Sequence, residues 1–465
     1  MPKLHYASLD EVARQLKARQ VSSVQLTNQL LDRIGRIDPR LKSFATLTPE
    51  RALADAAARD AETAAGSWRG ALHGVPIAVK DLCNTEGLPT AAGMSIHRKN
   101  IPTEDATVVA RLKAHGAVIL GKLQMTEGAF GAHHPSVPEP LNPWNEAYWT
   151  GSSSSGSGAA TAAGLCYASL GSDTGGSIRF PSTMNGLSGL KPTWGRVSRA
   201  GVFPLAESLD HIGPMCRSAL DCAIVLGAIA GADERDPTAV PLPVPDYAAT
   251  IDVGVVGRRI GRPADLKDLD EDGRRALDGA VEALAKAGAT IVDVALPAGF
   301  NEAARDWVPL CAVECAIAHE ATYPSRAAEY GSVLAGLIDA GRRLSGIDVA
   351  HLQVRRATIT GALNKLLASI DLLLMPVMPQ AVWSLQGLAA AGRDADTVAA
   401  RLRFTAPFDM SGHPTLTLPG GMTADGMPVG FQIVGGAFDE AGILAAGHAY
   451  QQATDWHLKR PPLDA

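Results

Sequence analysis

The chain has 465 residues, of which 46% are hydrophobic and 19% charged, so it can bury a large core. Its 42 basic and 48 acidic side chains give a formal net charge of −6, which excludes the basic surface that nucleic-acid binding needs. The six cysteines form no C-x-x-C pair, which argues against a disulfide-stapled module or a zinc site and favours a reducing, cytoplasmic compartment. No signal core precedes the first helix, and the longest apolar runs, such as residues 223–230, are too short to span a bilayer.

The first 65 residues are predicted to be helical. Ser8 with Glu11 and Ser22 with Gln25 have the spacing of capping boxes, which mark helix starts. An apolar stripe at helical spacing follows the second box, formed by Leu26, Leu30, Leu31, Ile34 and Ile37. We expect this N-terminal part, residues 1–70, to wrap a core that later segments build.

From residue 72 the pattern alternates between short apolar runs and helices. The run VPIAV is followed by a predicted helix over residues 107–114, which Gly116 closes, and by the run AVIL. Further predicted elements are a helix at 218–230, a strand at 252–256, a helix at 270–287, a strand at 290–296, a mostly helical stretch at 298–369, strands at 371–377 and 429–434, and a helix from Asp439. This alternation predicts an α/β sheet with crossover helices, and the absence of a linker or repeat favours a single domain over residues 1–465.

Residues 150–201 are crowded with serine and glycine. A flexible linker is one interpretation, but the segment continues into the small-residue helix pattern AATAAG and a strand-like LCYASLG. Gly151 and Gly156 have the spacing of a phosphate loop, yet Ser157 stands where its lysine belongs. No serine has glycine at both −2 and +2, which disfavours a nucleophile elbow.

A third pattern in this segment is that of the penicillin-recognising enzymes. Ser188 and Lys191 form S-x-x-K, and residues 172–174 read S-D-T. The order of the two motifs is wrong, and Lys191 would have to fill both lysine positions of the set. This interpretation is therefore also disfavoured.

The runs GSSSSGSGAATAAG and GSDTGGSIRFP, with VKD upstream and GLKPTWGRVS downstream, resemble the amidase signature family of serine hydrolases. The resemblance is most specific over residues 72–214, weaker over the N-terminal helices and 404–434, and poor over about 240–353. It implies a large mixed β-sheet sandwiched between helices, an α/β/α fold, in one amidase-signature domain.

The resemblance also implies a catalytic triad. The nucleophile is the serine of G-G-S-I-R, which is Ser177, and the second serine, held by a cis peptide bond, is Ser153. The lysine of V-K-D is Lys80. Ser152 and Ser155 replace glycines that the family usually has, which puts the local backbone geometry in question because glycine tolerates positive φ and serine does not.

These residue types suit acyl transfer. A serine hydroxyl needs a base within hydrogen-bond reach, and a lysine can serve where burial lowers its pKa towards neutrality. Backbone N–H groups of Thr174, Gly175 and Gly176, just before the nucleophile, are expected to form the oxyanion hole. The resemblance implies no metal and no organic cofactor.

For several other residues the sequence supports only a general prediction of their role. Arg179 is as well suited to brace the loop by an ion pair as to bind substrate. Lys191 is expected to be structural, and His133 and His134 to be loop residues. Cys311 and Cys315, one helical turn apart, are expected to be buried thiols rather than ligands, since buried cysteine behaves as a small hydrophobe.

The expected activity is hydrolysis of the C–N bond of an uncharged amide through an acyl-enzyme. Alternatives are a hydrolase of aryl amides, esters or carbamates and the glutaminase subunit of a tRNA-dependent amidotransferase. Residues 298–400 are expected to line the substrate pocket, with Trp307, Cys311, Tyr323 and Leu334 as apolar candidates, although individual substrate-binding residues stay unknown. The partner is a small-molecule amide or related acyl compound, without nucleic acid or membrane, and a homodimer is left open.

The glutaminase alternative requires charged residues that would bind glutamine. Glutamine has a charged amino and a charged carboxyl group, which need an acidic and a basic partner. In the amidotransferase subunits, which the chain otherwise resembles, the basic partner is an arginine upstream of the D-x-L-L strand, and Arg356, ahead of Asp371, is the candidate for it. The acidic position, three residues before Thr405, is occupied by Leu402, which cannot pair an ammonium; Asp409 is the remaining candidate. The sequence therefore favours a free-standing hydrolase.

Overall fold

The computed structural model describes residues 4–266 and 268–463. Over these residues the strands are β1 (Phe44–Leu47), β2 (Pro76–Lys80), β3 (Val118–Leu123), β4 (Ser169–Asp173), β5 (Ser188–Lys191), β6 (His211–Cys216), β7 (Arg259–Pro263), β8 (Thr290–Val294), β9 (Leu372–Pro376), β10 (Thr415–Met422) and β11 (Pro428–Gly435). They form one sheet in the order β1-β3-β2-β4-β6-β5-β10-β11-β9-β7-β8. The sheet is mixed: β2 is parallel to β3 and β4, β7 is parallel to β8 and β9, and the other pairs are antiparallel.

Helices surround this sheet. In the described part of the chain they are α1 (Leu9–Lys17), α2 (Ser23–Leu41), α3 (Pro49–Ala64), α4 (Thr107–Ala114), α5 (Ser155–Ala162), α6 (Arg179–Asn185), α7 (Ala219–Ile229), α8 (Glu271–Lys286), α9 (Phe300–Ala318), α10 (Ser332–Arg342), α11 (Gly346–Leu367), α12 (Leu385–Ala391), α13 (Ala395–Arg401), α14 (Ala406–Met410) and α15 (Glu440–Ala453). The predicted α/β class with a large mixed sheet is confirmed. None of the described helices is long and apolar enough to span a membrane.

The N-terminal helices form as their sequence predicts, but the prediction that the first 65 residues are helical is wrong at β1, because Phe44–Leu47 pairs with β3 at the edge of the sheet. Ser22 and Gln25 make a complete capping box at the start of α2, whereas Ser8 caps α1 only through the backbone N–H of Glu11. The predicted apolar stripe of α2 faces the core: Leu26, Leu30 and Ile34 are buried, and Leu31 and Ile37 pack against the same cluster. Hydrophobic burial of one helix face therefore anchors this segment.

One predicted strand is wrong. Residues 252–256 form no strand; a 3₁₀ turn, Ile251–Val253, occupies the start of this segment, and the strand of this region is β7, which begins at Arg259. Gly254 and Gly257 have φ values of +70° and +75°, which break an extended conformation. Val253 and Val256 are also 72% and 81% exposed, so their apolar pattern does not reflect a buried strand.

The central strands explain where the chemistry lies. All residues of β2 and β4 are buried, because helices cover both faces of the sheet there. The two strands are adjacent and parallel, so their carboxyl ends lie at the same edge of the sheet. Lys80 ends β2 and Asp173 ends β4, and the glycine loop with Ser177 follows directly.

Candidate active site

Lys80 is fully buried, and its Nζ contacts three serine hydroxyl groups. It donates to Oγ of Ser153 at 2.6 Å and to Oγ of Ser154 and of Ser172 at 2.8 Å each. Burial lowers the pKa of Lys80 to about 7, because desolvation disfavours the ammonium form. A lysine in this environment can exchange a proton near neutral pH.

The two serines of the predicted triad lie in segments that touch. The Ser152–Ser153 peptide bond is cis. The backbone N–H of Ser154 donates to the carbonyl oxygen of Ser177 at 3.4 Å, so the serine loop is held against the glycine loop. A direct hydrogen bond between the side chains of Ser153 and Ser177 is not among those of the described residues. Ser177 is half-buried and lines a cavity, whereas Ser153 and Lys80 lie behind it, buried.

The serines that replace family glycines are accommodated without positive φ. Neither Ser152 nor Ser155 is in the left-handed region, and the one position of the loop that needs it, with φ of +86°, is Gly151. A Cβ at Gly151 would lie 2.4 Å from the Cα of Pro181. The chain thus keeps glycine where the backbone requires it.

Backbone carbonyl groups in the glycine loop are tied to the protein interior. The carbonyl of Thr174 accepts from Nε1 of Trp307, and that of Gly175 accepts from Oγ1 of Thr405, both at 2.6 Å. Because a peptide unit is planar and trans, the N–H of the next residue points the opposite way. The backbone N–H groups of Thr174, Gly175 and Ser177 have no acceptor in the described part of the protein.

Gly176 differs from the other predicted oxyanion donors. Its N–H donates to Oδ1 of Asp173 at 2.6 Å, so it is already engaged in this structure. The Ser177 N–H, which sequence reasoning did not include, is unengaged.

Arg179 braces the loop and does not face the cavity. It is fully buried, forms a two-point ion pair with Asp173 through Nε (3.0 Å) and Nη2 (2.8 Å), and donates to the carbonyl of Thr405 at 3.0 Å. It also pairs with Asp409. Burial alone would raise the pKa of Asp173, but the adjacent guanidinium outweighs it and holds that pKa well below its usual range. Of the two roles that the sequence left open for Arg179, the structure shows bracing.

The cavity at Ser177 has a volume of about 420 Å³, within the range of about 300–1,000 Å³ that small-molecule sites typically have. Aromatic rings form much of its wall, from Phe130, Trp149, Phe180 and Trp307. Residues of the variable region form part of the lining of this cavity, but of the four named candidates only Trp307 does so in the described part of the chain. Cys311, Tyr323 and Leu334 are buried in the core, and both Cys311 and Cys315 are free thiols.

Lys191 and Ser188 do not form a second catalytic set. They stand three residues apart on β5, where side chains alternate between faces, so the two point to opposite sides of the sheet. Both are fully buried, and within the described residues Lys191 donates to the carbonyl of Pro192, at 3.2 Å, and to no other group. His133 lies in a loop and is 3.0 Å from Oγ of Ser155, and His134 contacts Ser136.

The candidate glutamine partners lie outside the cavity. Arg356 is held by Ser208 and by the carbonyl of Met410, and it lines a separate surface groove on α11. Asp409 is fully buried against Arg179. Leu402 does line the cavity, so an apolar side chain occupies the wall at the position expected to hold the acidic partner of a glutaminase.

The family model described as Amidase matches residues 25–444 of this chain. The chain belongs to the amidase family. It is an enzyme that hydrolyses amides.

Relatives of two kinds share this family membership. The chain is 50% identical over 461 residues to AmiD of Mycobacterium bovis, which carries the name of an amidase, covering 98% of this chain and 96% of AmiD. It is 39% identical over 492 residues to a glutamyl-tRNA(Gln) amidotransferase component of Trichlorobacter lovleyi, covering 99% and 100%. The crystal structure of the peptide amidase from Stenotrophomonas maltophilia superposes with a TM-score of 0.85 at 30% identity, covering 99% of both chains.

Several residues of the site were missed by sequence reasoning. Ser154 and Ser172 both accept from Lys80, but the sequence gives no signal that distinguishes Ser154 from its serine neighbours. Arg393 and Arg401, the two charged residues in the cavity lining, follow the poorly matching region and have no motif around them.

Proposed function

We propose that this amidase cleaves an uncharged amide group through a seryl acyl-enzyme, with Ser177 as nucleophile, Ser153 as relay and Lys80 as base. The observation that carries the proposal is the contact of the buried Lys80 Nζ with Ser153 Oγ at 2.6 Å, directly behind the serine that opens to the cavity. A lysine can accept a proton only while its amine is neutral, and burial, which lowers the pKa of Lys80 to about 7, keeps a large fraction of it neutral near that pH.

The reaction then follows from these positions. Ser177 Oγ attacks the amide carbon while its proton passes to Ser153, and the Ser153 proton passes to Lys80. The tetrahedral intermediate collapses when the proton returns through Ser153 to the amide nitrogen, and the C–N bond breaks. Water attacks the acyl-enzyme by the same route and releases the acid, which restores Ser177.

Negative charge on the carbonyl oxygen needs donors that are fixed in advance. Thr174 and Gly175 remain our proposed donors, and the unengaged N–H of Ser177 supports its inclusion. Gly176, which the resemblance also implies as a donor, can bind the oxyanion only after its N–H breaks the hydrogen bond to Asp173. We therefore propose a smaller contribution from Gly176.

The same machinery attacks aryl amides, esters and carbamates, and the cavity favours aromatic or aliphatic groups. Trp149, Phe180 and Trp307 offer ring faces for stacking. A glutaminase function is less well supported, because no acidic residue lines the cavity within the described residues and Asp409 is committed to Arg179. A substrate ammonium would be buried there without a partner.

Three further properties are proposed. The chain acts as one domain, which the single sheet from residue 44 to residue 435 supports. It acts on small molecules in the cytoplasm, and its six free, buried cysteines fit a reducing compartment.

The test is covalent labelling with a fluorophosphonate followed by peptide mapping, together with hydrolysis of anilides, esters, carbamates and aliphatic amides. We expect one adduct on Ser177, and loss of both labelling and turnover in Ser177→Ala. Ser188→Ala is the matched control, because Ser188 is a buried strand serine away from the cavity, and it is expected to label normally. An adduct on Ser188, or full turnover by Ser177→Ala, would contradict the proposal.

A further inference from the structure

A guanidinium group with unpaired donors lies in the wall of the substrate cavity. Arg401, the last residue of α13, lines the same cavity as Ser177. Its Nε and Nη2 are shielded from solvent, and neither has a hydrogen-bond partner among residues 4–266 and 268–463. Buried donors of a charged group are nearly always paired in proteins, so this pair indicates a ligand.

The guanidinium group of Arg401 lies over two indole rings. Its guanidinium carbon lies 6.0 Å from the ring centroid of Trp149 and 5.1 Å from that of Trp383. Such cation–π contacts attract the guanidinium through its charge and need none of its N–H groups as hydrogen-bond donors. Nε and Nη2 are the two donors of one edge, the fork that binds a carboxylate through both oxygens.

Charges around Arg401 make this part of the wall positive. The neighbouring charged group that acts on it is Arg393, which also lines the cavity. Arg393 has an acid nearby, since its charge contributes to lowering the pKa of Glu139, after the effect of His133. Within the described chain, no such acid acts on Arg401. An anion in the cavity would therefore be attracted mainly to Arg401.

We propose that Arg401 is a specificity-determining residue that binds a carboxylate group of the amide substrate. This inference rests on the proposed function and narrows its substrate class: the scissile amide is uncharged, its body is apolar, and an acid group lies at the Arg401 end. A carboxylate fits better than a larger anion, because the unpaired donors form a single two-point fork.

The experiment uses matched pairs of chromogenic anilides. In one series, p-nitroanilides bear acyl chains of four to eight carbons that end in a carboxylate or in a methyl group. In the other, the leaving group is 5-amino-2-nitrobenzoate or p-nitroaniline. Each pair differs only in the acid, so the ratio of the two kcat/KM values measures recognition of the carboxylate. Comparison of the two series shows whether the recognised carboxylate lies on the acyl side or on the leaving-group side of the amide.

We expect the wild-type protein to prefer the acid in at least one pair by about 10- to 100-fold in kcat/KM. In Arg401→Gln this ratio should fall to about one. Arg403→Gln is the matched control, since Arg403 lies two residues away but pairs with Asn301 and Asp268 outside the cavity, and it should keep the wild-type ratio.

Binding of the acid substrates to Ser177→Ala protein by calorimetry gives a readout without turnover. Binding that Arg401→Gln abolishes in the same background supports the proposal. The absence of any acid preference in both series, or an equal preference in Arg401→Gln, overturns it. If no anilide of either series is hydrolysed, the proposed function fails, while calorimetry still decides the role of Arg401.

Discussion

The indole N–H of Trp307 donates to the carbonyl oxygen of Thr174 at 2.6 Å, across a separation of 133 residues. The ring also packs on Gly175, where a Cβ would lie 2.6 Å from a ring carbon. A residue of the variable region thus fixes the peptide plane between Thr174 and Gly175, and with it the direction of the Gly175 N–H. The pocket wall and the oxyanion donors are parts of one structure.

Trp307→Phe should lower kcat. It keeps an aromatic ring but removes the N–H that holds the Thr174 carbonyl, so the Gly175 donor is less well oriented. We expect a loss of about tenfold, smaller than the 10²- to 10³-fold loss typical when a donor is deleted. Trp144→Phe removes the same group where it bonds to Asn185, away from the cavity, and should leave kcat intact. Wild-type kcat in Trp307→Phe would show that the bond does not position the donor.

The activity should depend on deprotonation of Lys80. Because burial lowers its pKa to about 7, the base is protonated below that pH and neutral above it. We therefore expect kcat/KM to fall as pH decreases through about 7 and to be retained at higher pH.

The pH profile alone does not identify the lysine, since burial also lowers the pKa of Lys191 to about 7. Lys80→Ala should reduce kcat by roughly 10³-fold or more with the fold retained. Lys191→Met should keep the wild-type profile. A folded, inactive Lys191→Met beside an active Lys80→Ala would reverse the assignment.

Replacing Arg179 should destabilise the protein as well as inactivate it. Arg179→Met leaves the buried carboxylate of Asp173 without its ion pair, and breaking a buried pair in this way typically costs about 3–5 kcal/mol. Arg355→Met removes an arginine from a partly exposed pair with Asp306, for which about 1 kcal/mol or less is expected. Urea unfolding of both variants measures the difference. Equal, small effects would mean that Arg179 does not brace the loop.

The sequence predicts those parts of the fold in which local pattern and burial agree. Strand β2 and helices α2, α4, α7 and α8 lie where periodicity and caps place them, because each buries the face that its apolar residues mark. The segment at residues 252–256 looks equally apolar, but Gly254 and the following Gly257 turn the chain, and Val253 and Val256 are exposed whereas Val255 is buried. A run of five residues carries no information on whether a partner strand exists.

The candidate site, like the fold, is predicted from the sequence only in part. Lys80, Ser153 and Ser177 are named by motif, and the structure brings their segments together at one edge of the sheet. The hydrogen bonds that orient the loop cross long stretches of chain, from Trp307 to Thr174 and from Thr405 to Gly175, so no local pattern records them. The contacts of Arg401 with Trp149 and Trp383 join three separate segments of the chain, so no local pattern predicts them.

Glutamine should be a poor substrate, and its amino group should be the reason. The cavity lining contains Arg393, Arg401 and Leu402 but, within the described residues, no acid to pair an ammonium. The matched probe is 4-carbamoylbutanoate, which is glutamine without its amino group and keeps the amide and the carboxylate. We expect ammonia release from this analogue to exceed that from glutamine by about 100-fold or more in kcat/KM, because an unpaired buried charge costs several kcal/mol. Comparable rates for the two compounds, or strong stimulation of glutamine hydrolysis by a co-purifying protein, would instead indicate that the chain is a component of an amidotransferase. In that case a rearrangement would have to free Asp409 from Arg179, so that Asp409 could pair with the amino group of glutamine.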